Sequence, residues 1–330
     1  MKVFVLTIVI FISLACNLSA QTLELKFGTS EPPQSFIIKT VYEPWAEKVN
    51  KAAEGLFKIE IYPGSVLNKN PMKDMEVVMS GVVDMVQTCA AYNPGIFSNE
   101  SVFGVPFIAE NPIEASKAAY SMFKQGLLKG YNLVVPLMIT AGGQYYIHTS
   151  MPVKVPKDLE GKKIRSTGKM QHYLAKAYGA APIGMPIFKV AESISRGLIQ
   201  GTTNEWNAVR TFKIDEVARY HTIVPLGTIS FTIVMNKEKF NSLPKKAQDI
   251  LINSRDDLNS TWAKQMDISL TTFQKKMIDD KEHHVYFPTP SEMEEWKKVT
   301  QIGVNQWLED EKGMKDLIEV YKKEITKIRN

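Results

Sequence analysis

Residues 23–62 read LELKFGTSEPPQSFIIKTVYEPWAEKVNKAAEGLFKIEIY and predict the first unit of the fold. Leu23–Gly28 alternates apolar and polar residues before a turn-rich loop, which is typical of a half-buried strand. Residues 40–53 repeat apolar side chains at helical spacing, and residues 57–62 alternate again before a Pro-Gly turn. Strand, helix and strand in this order predict a βαβ unit and therefore a parallel sheet.

The next segment continues the pattern and indicates where a ligand would bind. We predict a helix over Met72–Met79, a stop at Gly81 and a buried strand over Val82–Val86. The loop QTCAAYNPG, residues 87–95, would leave the carboxyl end of that strand. Ligands of open α/β sheets bind at this edge, so the loop is a candidate binding segment.

The second half predicts another α/β unit and two kinds of connection between domains. A strand over Lys163–Arg165 lies between glycine turns, and two helices follow it. Residues 220–236 are rich in β-branched side chains and could supply one or two long strands that cross between domains. A single helix over Pro244–Asp280 would be roughly 50 Å long and would also span two domains.

These patterns predict two discontinuous domains. Domain I would comprise residues 21–143 and 231–272, and domain II residues 144–230 and 273–330. The length and the ordinary composition, 44% hydrophobic and 23% charged, agree with this division.

The N-terminus predicts export. Lys2 precedes an apolar run that ends in Leu18-Ser19-Ala20, the pattern of a secretory signal peptide cleaved between Ala20 and Gln21. Lipid attachment at Cys16 is the alternative, but Ser13 stands where a lipoprotein signal usually has leucine. We therefore expect a periplasmic protein whose mature chain keeps one cysteine, Cys89, and forms no internal disulfide.

The charge and the motifs argue against several function classes. The formal charge of +5 is scattered along the chain, which favours small anionic partners and gives no nucleic-acid footprint. The sequence contains no GxSxG, HExxH, CxxC, P-loop or GxGxxG motif. The five histidines have no metal-site spacing, and His283-His284 is predicted to be a solvated helix end. We expect no catalysis, no cofactor and no resident metal.

Several segments in order resemble one protein family. PVKVPKDLEGKKIRSTG (152–168), YGAAPIGMPIFKVAESISRGLIQGTTNEW (178–206) and HTIVPLGTISFTIVMNKEKFNSLPKKAQDIL (221–251) are similar to segments of the DctP-type solute-binding proteins of TRAP (tripartite ATP-independent periplasmic) transporters. EKVNKAAEGLFKIEIYPGSVL (47–67) agrees as well, so the resemblance covers essentially the whole mature chain. It implies a class II-like two-domain α/β periplasmic binding protein, with a ligand cleft between the domains, hinge-crossing strands and a long domain-spanning helix.

The resemblance also implies which residues bind the ligand. The family's arginine that forms a two-point salt bridge with the substrate carboxylate falls on Arg165, and a guanidinium suits that task because its planar fork matches two carboxylate oxygens. The family's asparagine falls on Asn204, which would hydrogen-bond the same carboxylate or a neighbouring polar group.

The sequence departs from the family pattern at positions that bear on the ligand. Gln200 and Thr203 replace two acidic residues of the asparagine segment, and Trp206 follows as either a cleft wall or a packed core residue. Tyr145 or Tyr146 stands where sialic-acid-binding members have a second arginine. A simple carboxylate is therefore better supported than a sugar acid. The other candidate lining residues are Thr88, Cys89, Ile187, Phe188, Arg210 and Phe231.

We expect a monomer that binds an organic acid anion by hinge closure and delivers it to the small and large membrane subunits of a TRAP permease. One alternative is a binding protein that presents its closed form to a signalling receptor. A second is a secreted α/β enzyme that uses the same cleft.

Overall fold

The computed structural model describes residues 22–330. The predicted signal peptide, its cleavage site and Cys16 lie outside these residues. The described part contains eleven strands: β1 Leu23–Gly28, β2 Phe57–Tyr62, β3 Met85–Cys89, β4 Val135–Ala141, β5 Tyr146–Thr149, β6 Lys163–Arg165, β7 Ala181–Ile183, β8 Gly201–Asn204, β9 Tyr220–Thr222, β10 Ser230–Met235 and β11 His284–Tyr286.

The described part also contains eleven α-helices. They are α1 Glu43–Ala53, α2 Asp74–Met79, α3 Pro112–Lys124, α4 Gly168–Ala177, α5 Val190–Ser195, α6 Trp206–Thr211, α7 Lys237–Ser242, α8 Lys245–Asn253, α9 Arg255–Asp279, α10 Pro290–Asp310 and α11 Met314–Arg329.

The strands form two mixed sheets. The first has the order β2-β1-β3-β10-β4, in which β10 alone is antiparallel to its neighbours. The second has the order β11-β9-β5-β8-β6-β7, in which β5 runs antiparallel to β8 and β9. The predicted βαβ unit is present with the predicted bounds of β1 and β2.

Two chain segments cross between the sheets side by side. One joins β4 to β5 and the other joins β9 to β10. Gly142 N donates to Ile229 O over 2.9 Å, and Tyr145 N donates to Gly227 O over 2.8 Å. Gly227 has φ +77, and a Cβ there would lie 2.3 Å from Gly104 O, so this crossing requires glycine. The β-branched run at 220–236 thus supplies one strand to each sheet.

The long helix differs from its prediction. Residues 244–280 form two helices that meet at Ser254, whose Oγ donates to Leu251 O over 2.7 Å. Main-chain hydrogen bonds continue through this residue, from Ser254 N to Ile250 O and from Leu258 N to Ser254 O. Ser254 Oγ also accepts a hydrogen bond from Trp45 Nε1 over 3.1 Å. The second helix, α9, is still 25 residues long and contacts β4 of the first sheet and β11 of the second, so it spans both.

The third strand also differs from its prediction. It covers Met85–Cys89 instead of Val82–Val86, because Gly81 has φ +74 and turns the chain through exposed Val82. Asp84 then holds the strand start, since its Oδ2 accepts from Lys26 N over 2.8 Å. The candidate residues Thr88 and Cys89 therefore belong to the strand and not to the loop.

The predicted range of domain II placed the whole C-terminal segment beside one sheet. In the structure, this segment packs beside both sheets. Helix α10 packs on α4, but α11 packs on α3, beside the first sheet. Arg329 Nη2 contacts Glu114 Oε2 over 2.7 Å, and Ser121 Oγ donates to Glu324 Oε2 over 2.8 Å. The strands themselves divide almost as predicted, with Ser230 in the first sheet; the exact domain limits stay a prediction.

Candidate functional site

A narrow cavity lies between the two sheets at the carboxyl ends of several strands. Glu31 follows β1, Cys89 ends β3, Arg165 ends β6 and Asn204 ends β8, and all four line the cavity. In α/β sheets this edge gathers side chains from loops that are distant in sequence.

The cavity is small. Its volume is about 50 Å³. This narrow space suits a small organic molecule in this conformation.

Arg165 is the single cation among the described residues that line the cavity. Its side chain is 1% exposed, and its guanidinium donates to Met185 O, Asn204 Oδ1 and Tyr92 Oη over 3.2–3.3 Å. No Asp or Glu oxygen of residues 22–330 lies within 4.0 Å of it. A buried charge without a counter-ion is costly, so the geometry favours an anionic ligand at this guanidinium.

Asn204 and Tyr92 are arranged around Arg165 with donors to spare. Asn204 Oδ1 accepts from Arg165 and from Thr202 Oγ1 over 2.7 Å, which leaves its Nδ2 amide to donate. Tyr92 Oη accepts from Arg165 Nη2 over 3.3 Å and from Ile187 N over 3.2 Å, which leaves its hydroxyl proton to donate. Because Tyr92 follows β3 of the first sheet, these bonds join the two sheets across the cavity.

Aromatic side chains form much of the remaining wall. Phe231 on β10 and Trp262 on α9 pack with ring centroids 5.6 Å apart. Tyr42, Tyr145 and Phe212 complete this aromatic lining. The wall offers apolar faces to the part of a ligand that does not carry its charge.

Three carboxyl groups also line the cavity: Glu31, Asp74 and Glu205. Burial raises the pKa of Glu31 and of Asp74 to about 7, and the pKa of Glu205 to about 8. The Glu205 carboxylate accepts from Ala208 N over 2.9 Å and from Asn207 N, so it caps α6. Glu31 Oε2 is buried and has no hydrogen-bond partner within residues 22–330.

The structure brings six of the sequence-predicted site residues to the cavity. They are Arg165, Asn204, Tyr145, Cys89, Ile187 and Phe231. Thr88 does not line it, because successive side chains of a strand point to opposite faces and its neighbours Gln87 and Cys89 face the cavity.

The other predicted residues lie elsewhere. Trp206 is 1% exposed and packs in the core against His148, with ring centroids 4.7 Å apart, and Tyr146 lies beside it at 6.4 Å. Of the two interpretations given for Trp206, a cleft wall or a packed core residue, the packed core residue matches its position. Phe188 is 44% exposed, and exposed Arg210 lies over the ring of Phe36 at 5.5 Å.

Sequence reasoning did not single out Glu31, Glu205, Tyr42, Tyr92 or Trp262. Glu31 and Tyr92 stand in loops that follow β1 and β3, so the rule about carboxyl ends of strands could have found them. Trp262 and Tyr42 follow helical spacing, and their periodicity does not distinguish a cavity wall from a core.

Three histidines form a second buried polar cluster, which we call the histidine chain. His283 Nδ1 lies 2.8 Å from His221 Nε2, His221 Nδ1 lies 2.8 Å from His148 Nδ1, and His148 Nε2 lies 3.1 Å from the main-chain oxygen of Asn204. At the other end, His283 Nε2 lies 2.8 Å from Arg219 Nη1. The prediction of a solvated helix end at His283-His284 is wrong, because His283 is buried and His284 begins β11.

The end groups of the histidine chain fix its protons. Arginine only donates and a carbonyl oxygen only accepts. His283 and His221 must therefore each carry the proton on Nδ1, and His148 must carry it on Nε2. All three are neutral in this arrangement, and burial lowers the pKa of His148 to about 4 and that of His221 to about 2.

Within residues 22–330, no group of three or more His, Cys, Asp or Glu side chains has the geometry to hold a metal ion. In the same part of the chain, no helix is both long and apolar enough to span a membrane.

Two proteins of known structure have a fold similar to that of this chain. A marine metagenome TRAP solute-binding protein, described as specific for aromatic acid ligands and solved with 3-hydroxybenzoate, matches with a TM-score of 0.87 and 26% identity over 93% of this chain and 99% of that chain. A TRAP solute-binding protein from Rhodoferax ferrireducens, solved with benzoate, matches with a TM-score of 0.85 and 25% identity over 93% and 98%.

A curated relative gives the same family. The 2,3-diketo-L-gulonate-binding periplasmic protein of Escherichia coli K12 is 26% identical over 267 residues, which cover 80% of this chain and 79% of the relative. The sequence profile described as "Bacterial extracellular solute-binding protein, family 7" matches residues 27–310. The predicted resemblance to TRAP solute-binding proteins and the predicted fold class are confirmed. This chain belongs to family 7 of the bacterial extracellular solute-binding proteins, the DctP family.

Proposed function

We propose that this protein captures a small organic monocarboxylate in the periplasm, between its two domains, and delivers it to a TRAP membrane permease. The observation that carries the proposal is Arg165, a buried guanidinium without a counter-ion among the described residues. A ligand carboxylate supplies that counter-ion, and Asn204 Nδ2 and the Tyr92 hydroxyl donate further hydrogen bonds to it.

The cavity lining supports one carboxylate and an aromatic body. A dicarboxylate needs a second cation, and Arg165 is the single cation among the described lining residues. The relatives of known structure named above were solved with 3-hydroxybenzoate and benzoate, which are aromatic acids of the size that the cavity suits. Phe231 and Trp262 offer the faces on which such a ring would pack.

Binding closes the protein because the carboxylate contacts both domains at once. Tyr92 comes from the first sheet and Arg165 from the second, so a bound acid bridges them and favours the closed state over the open one. The closed surface is the form that the permease would receive.

A thermal-shift screen over aromatic acids, C4-dicarboxylates, 2-oxo acids and sugar acids tests the proposal. We expect an aromatic monocarboxylate to raise the melting temperature most, because a ligand that binds the folded state stabilises it by mass action. Calorimetry should then give an affinity loss for Arg165→Ala of about 30-fold to several thousand-fold, since truncating one partner of a buried charge pair costs about 2–5 kcal/mol.

Arg210→Ala is the matched control, because Arg210 is an exposed arginine outside the cavity. It should leave the affinity within about twofold, as expected of a surface substitution. Equal affinity of the wild type and Arg165→Ala for the best acid, or no binding of any acid, would overturn the proposed function.

A further inference from the structure

We infer that the ligand carries a hydrogen-bond donor, a hydroxyl or an ammonium group, at the end of the molecule away from its carboxylate, and that Glu31 receives this donor. The inference rests on the proposed function, because Arg165 fixes which end of the ligand is the carboxylate.

The first step is that the cavity has two ends of opposite character. Arg165 Nη2 contacts Tyr92, and its charge opposes the rise in pKa that burial causes at Cys89 and Tyr92. The charge of Glu31 acts on different groups. It adds to the rise in pKa that burial causes at Tyr42 and Glu205. Although both Arg165 and Glu31 line the cavity, no Asp or Glu oxygen of the described residues is within 4.0 Å of the guanidinium. Glu31 therefore makes no direct ion pair with Arg165.

The second step identifies the free acceptor at the acidic end. Both oxygens of Glu205 already accept from the backbone of α6. Asp74 Oδ1 accepts from Asn68 Nδ2 over 2.9 Å. Glu31 Oε2 is buried and has no partner among the residues that the structure describes. Leaving a buried acceptor unpaired costs free energy, so a donor on the ligand is the partner that we infer for Glu31 Oε2.

The third step is that Glu31 is held in place before any ligand binds. Its main-chain N donates to Thr29 Oγ1 over 3.1 Å, and its main-chain O accepts from Gly64 N over 2.7 Å. Thr29 Oγ1 in turn donates to Gln87 Oε1 over 2.8 Å, which ties the loop to β3. Two prolines follow Glu31 and restrict the backbone further. These contacts fix the main chain from which the Glu31 carboxyl group enters the cavity.

The experiment measures the affinities of matched acids by calorimetry. Each set keeps one carbon framework and one carboxylate and changes the far substituent among hydrogen, hydroxyl and aminomethyl, for example benzoate, 3-hydroxybenzoate and 3-(aminomethyl)benzoate, with aliphatic and sugar-acid sets beside them. In the wild type we expect one donor-bearing acid to bind at least about tenfold more tightly than its hydrogen analogue, because a site built for a donor rejects the analogue that lacks it.

Two variants distinguish the kinds of donor. Glu31→Met removes both acceptors at similar length and should reduce the preference to within about threefold for either donor. Glu31→Gln keeps one acceptor and removes the charge, so it should retain the preference for a hydroxyl and lose the preference for an ammonium. Glu47→Gln and Glu47→Met, at an exposed position of α1, are the matched controls and should change neither affinity nor preference.

The outcomes separate this inference from the proposed function. If acids bind and Arg165→Ala abolishes binding, but the preference for a donor is absent in the wild type or survives in Glu31→Met, the role of Glu31 is wrong and the carboxylate site stands. If no acid binds, or if binding does not depend on Arg165, the proposed function itself is wrong.

Discussion

The cavity and the histidine chain are two buried polar regions that differ in how completely their hydrogen bonds are paired. Around the cavity, Arg165 has no counter-ion and Glu31 Oε2 has no partner among the described residues. In the histidine chain, every ring nitrogen from His283 to His148 has a partner within 3.1 Å. Because unpaired buried groups cost free energy, the unpaired groups of the cavity favour a ligand there, and the paired ring nitrogens of the histidine chain favour a contribution to stability.

The two regions touch at one strand. Asn204 presents its side chain to Arg165 and its main-chain oxygen to His148. The histidine chain therefore supports the strand that carries a cavity residue while it remains outside the cavity lining itself. Buried Trp206 packs against both His148 and His221 and belongs to this support.

The regions also respond to pH in opposite directions. The pKa values of the Glu31 and Glu205 carboxyl groups are raised from 4.5 to about 7 and about 8, so between pH 4.5 and pH 8 the folded state binds more protons than the unfolded state. Their contribution to stability is therefore fully present below about pH 4.5 and is lost as pH rises from there to about 8. The histidines have lowered pKa values, so their contribution is present above about pH 6.5 and is lost as pH falls below it.

The largest expected effect is on the paired region. His221→Leu removes the middle of the histidine chain and leaves His148 Nδ1 and His283 Nδ1 without partners. The free energy of unfolding at pH 7 should fall by about 2–6 kcal/mol, since each of the two unsatisfied buried groups costs about 1–3 kcal/mol. Urea unfolding followed by circular dichroism measures it. A loss below about 0.5 kcal/mol would show that the histidine chain does not stabilise the fold.

The next effect is the pH dependence of that loss. In the wild type, His221 takes up a proton on unfolding below about pH 6.5 but stays neutral in the fold. The stability difference between the wild type and His221→Leu should therefore shrink by about 2 kcal/mol between pH 7 and pH 5. Urea titrations of both proteins at several pH values measure it. If the stability difference grows or stays constant between pH 7 and pH 5, the histidines of the chain are not neutral in the folded state.

The smallest expected effect is at the cavity. Here the substitution should not lower the free energy of unfolding. Arg165→Met removes a buried charge, and Tyr92 and Asn204 keep their bonds to Ile187 N and Thr202 Oγ1. Met185 O loses the two bonds that it accepts from the guanidinium, which offsets part of the gain. Without ligand, the free energy of unfolding should stay equal or rise by about 1 kcal/mol. The same urea titration measures it, with Arg210→Met as the surface control. A fall of more than about 2 kcal/mol would place Arg165 among the stabilising groups and would end the contrast between the regions.

Local patterns in the sequence predicted several elements closely. The alternation over Leu23–Gly28 and Phe57–Tyr62 gave both strand bounds, and the turn glycines around Lys163–Arg165 gave β6. Side-chain periodicity is local, so it can be read without knowing the fold. The same reasoning failed at the start of the third strand, where Gly81 turns the chain at φ +74 and the strand begins at Met85 instead of Val82.

The sequence by itself determined the succession of strands and helices and the α/β class, because each depends on neighbouring residues. Arg165 and Asn204 became candidate ligand residues through the resemblance of their segments to the TRAP family. Only the tertiary structure decided which side chains meet. It assembled the cavity from Glu31, Tyr92 and Trp262, and it joined His148, His221 and His283 into one chain. These residues are far apart in sequence, and their contacts follow from strand order and sheet pairing, which no local periodicity encodes.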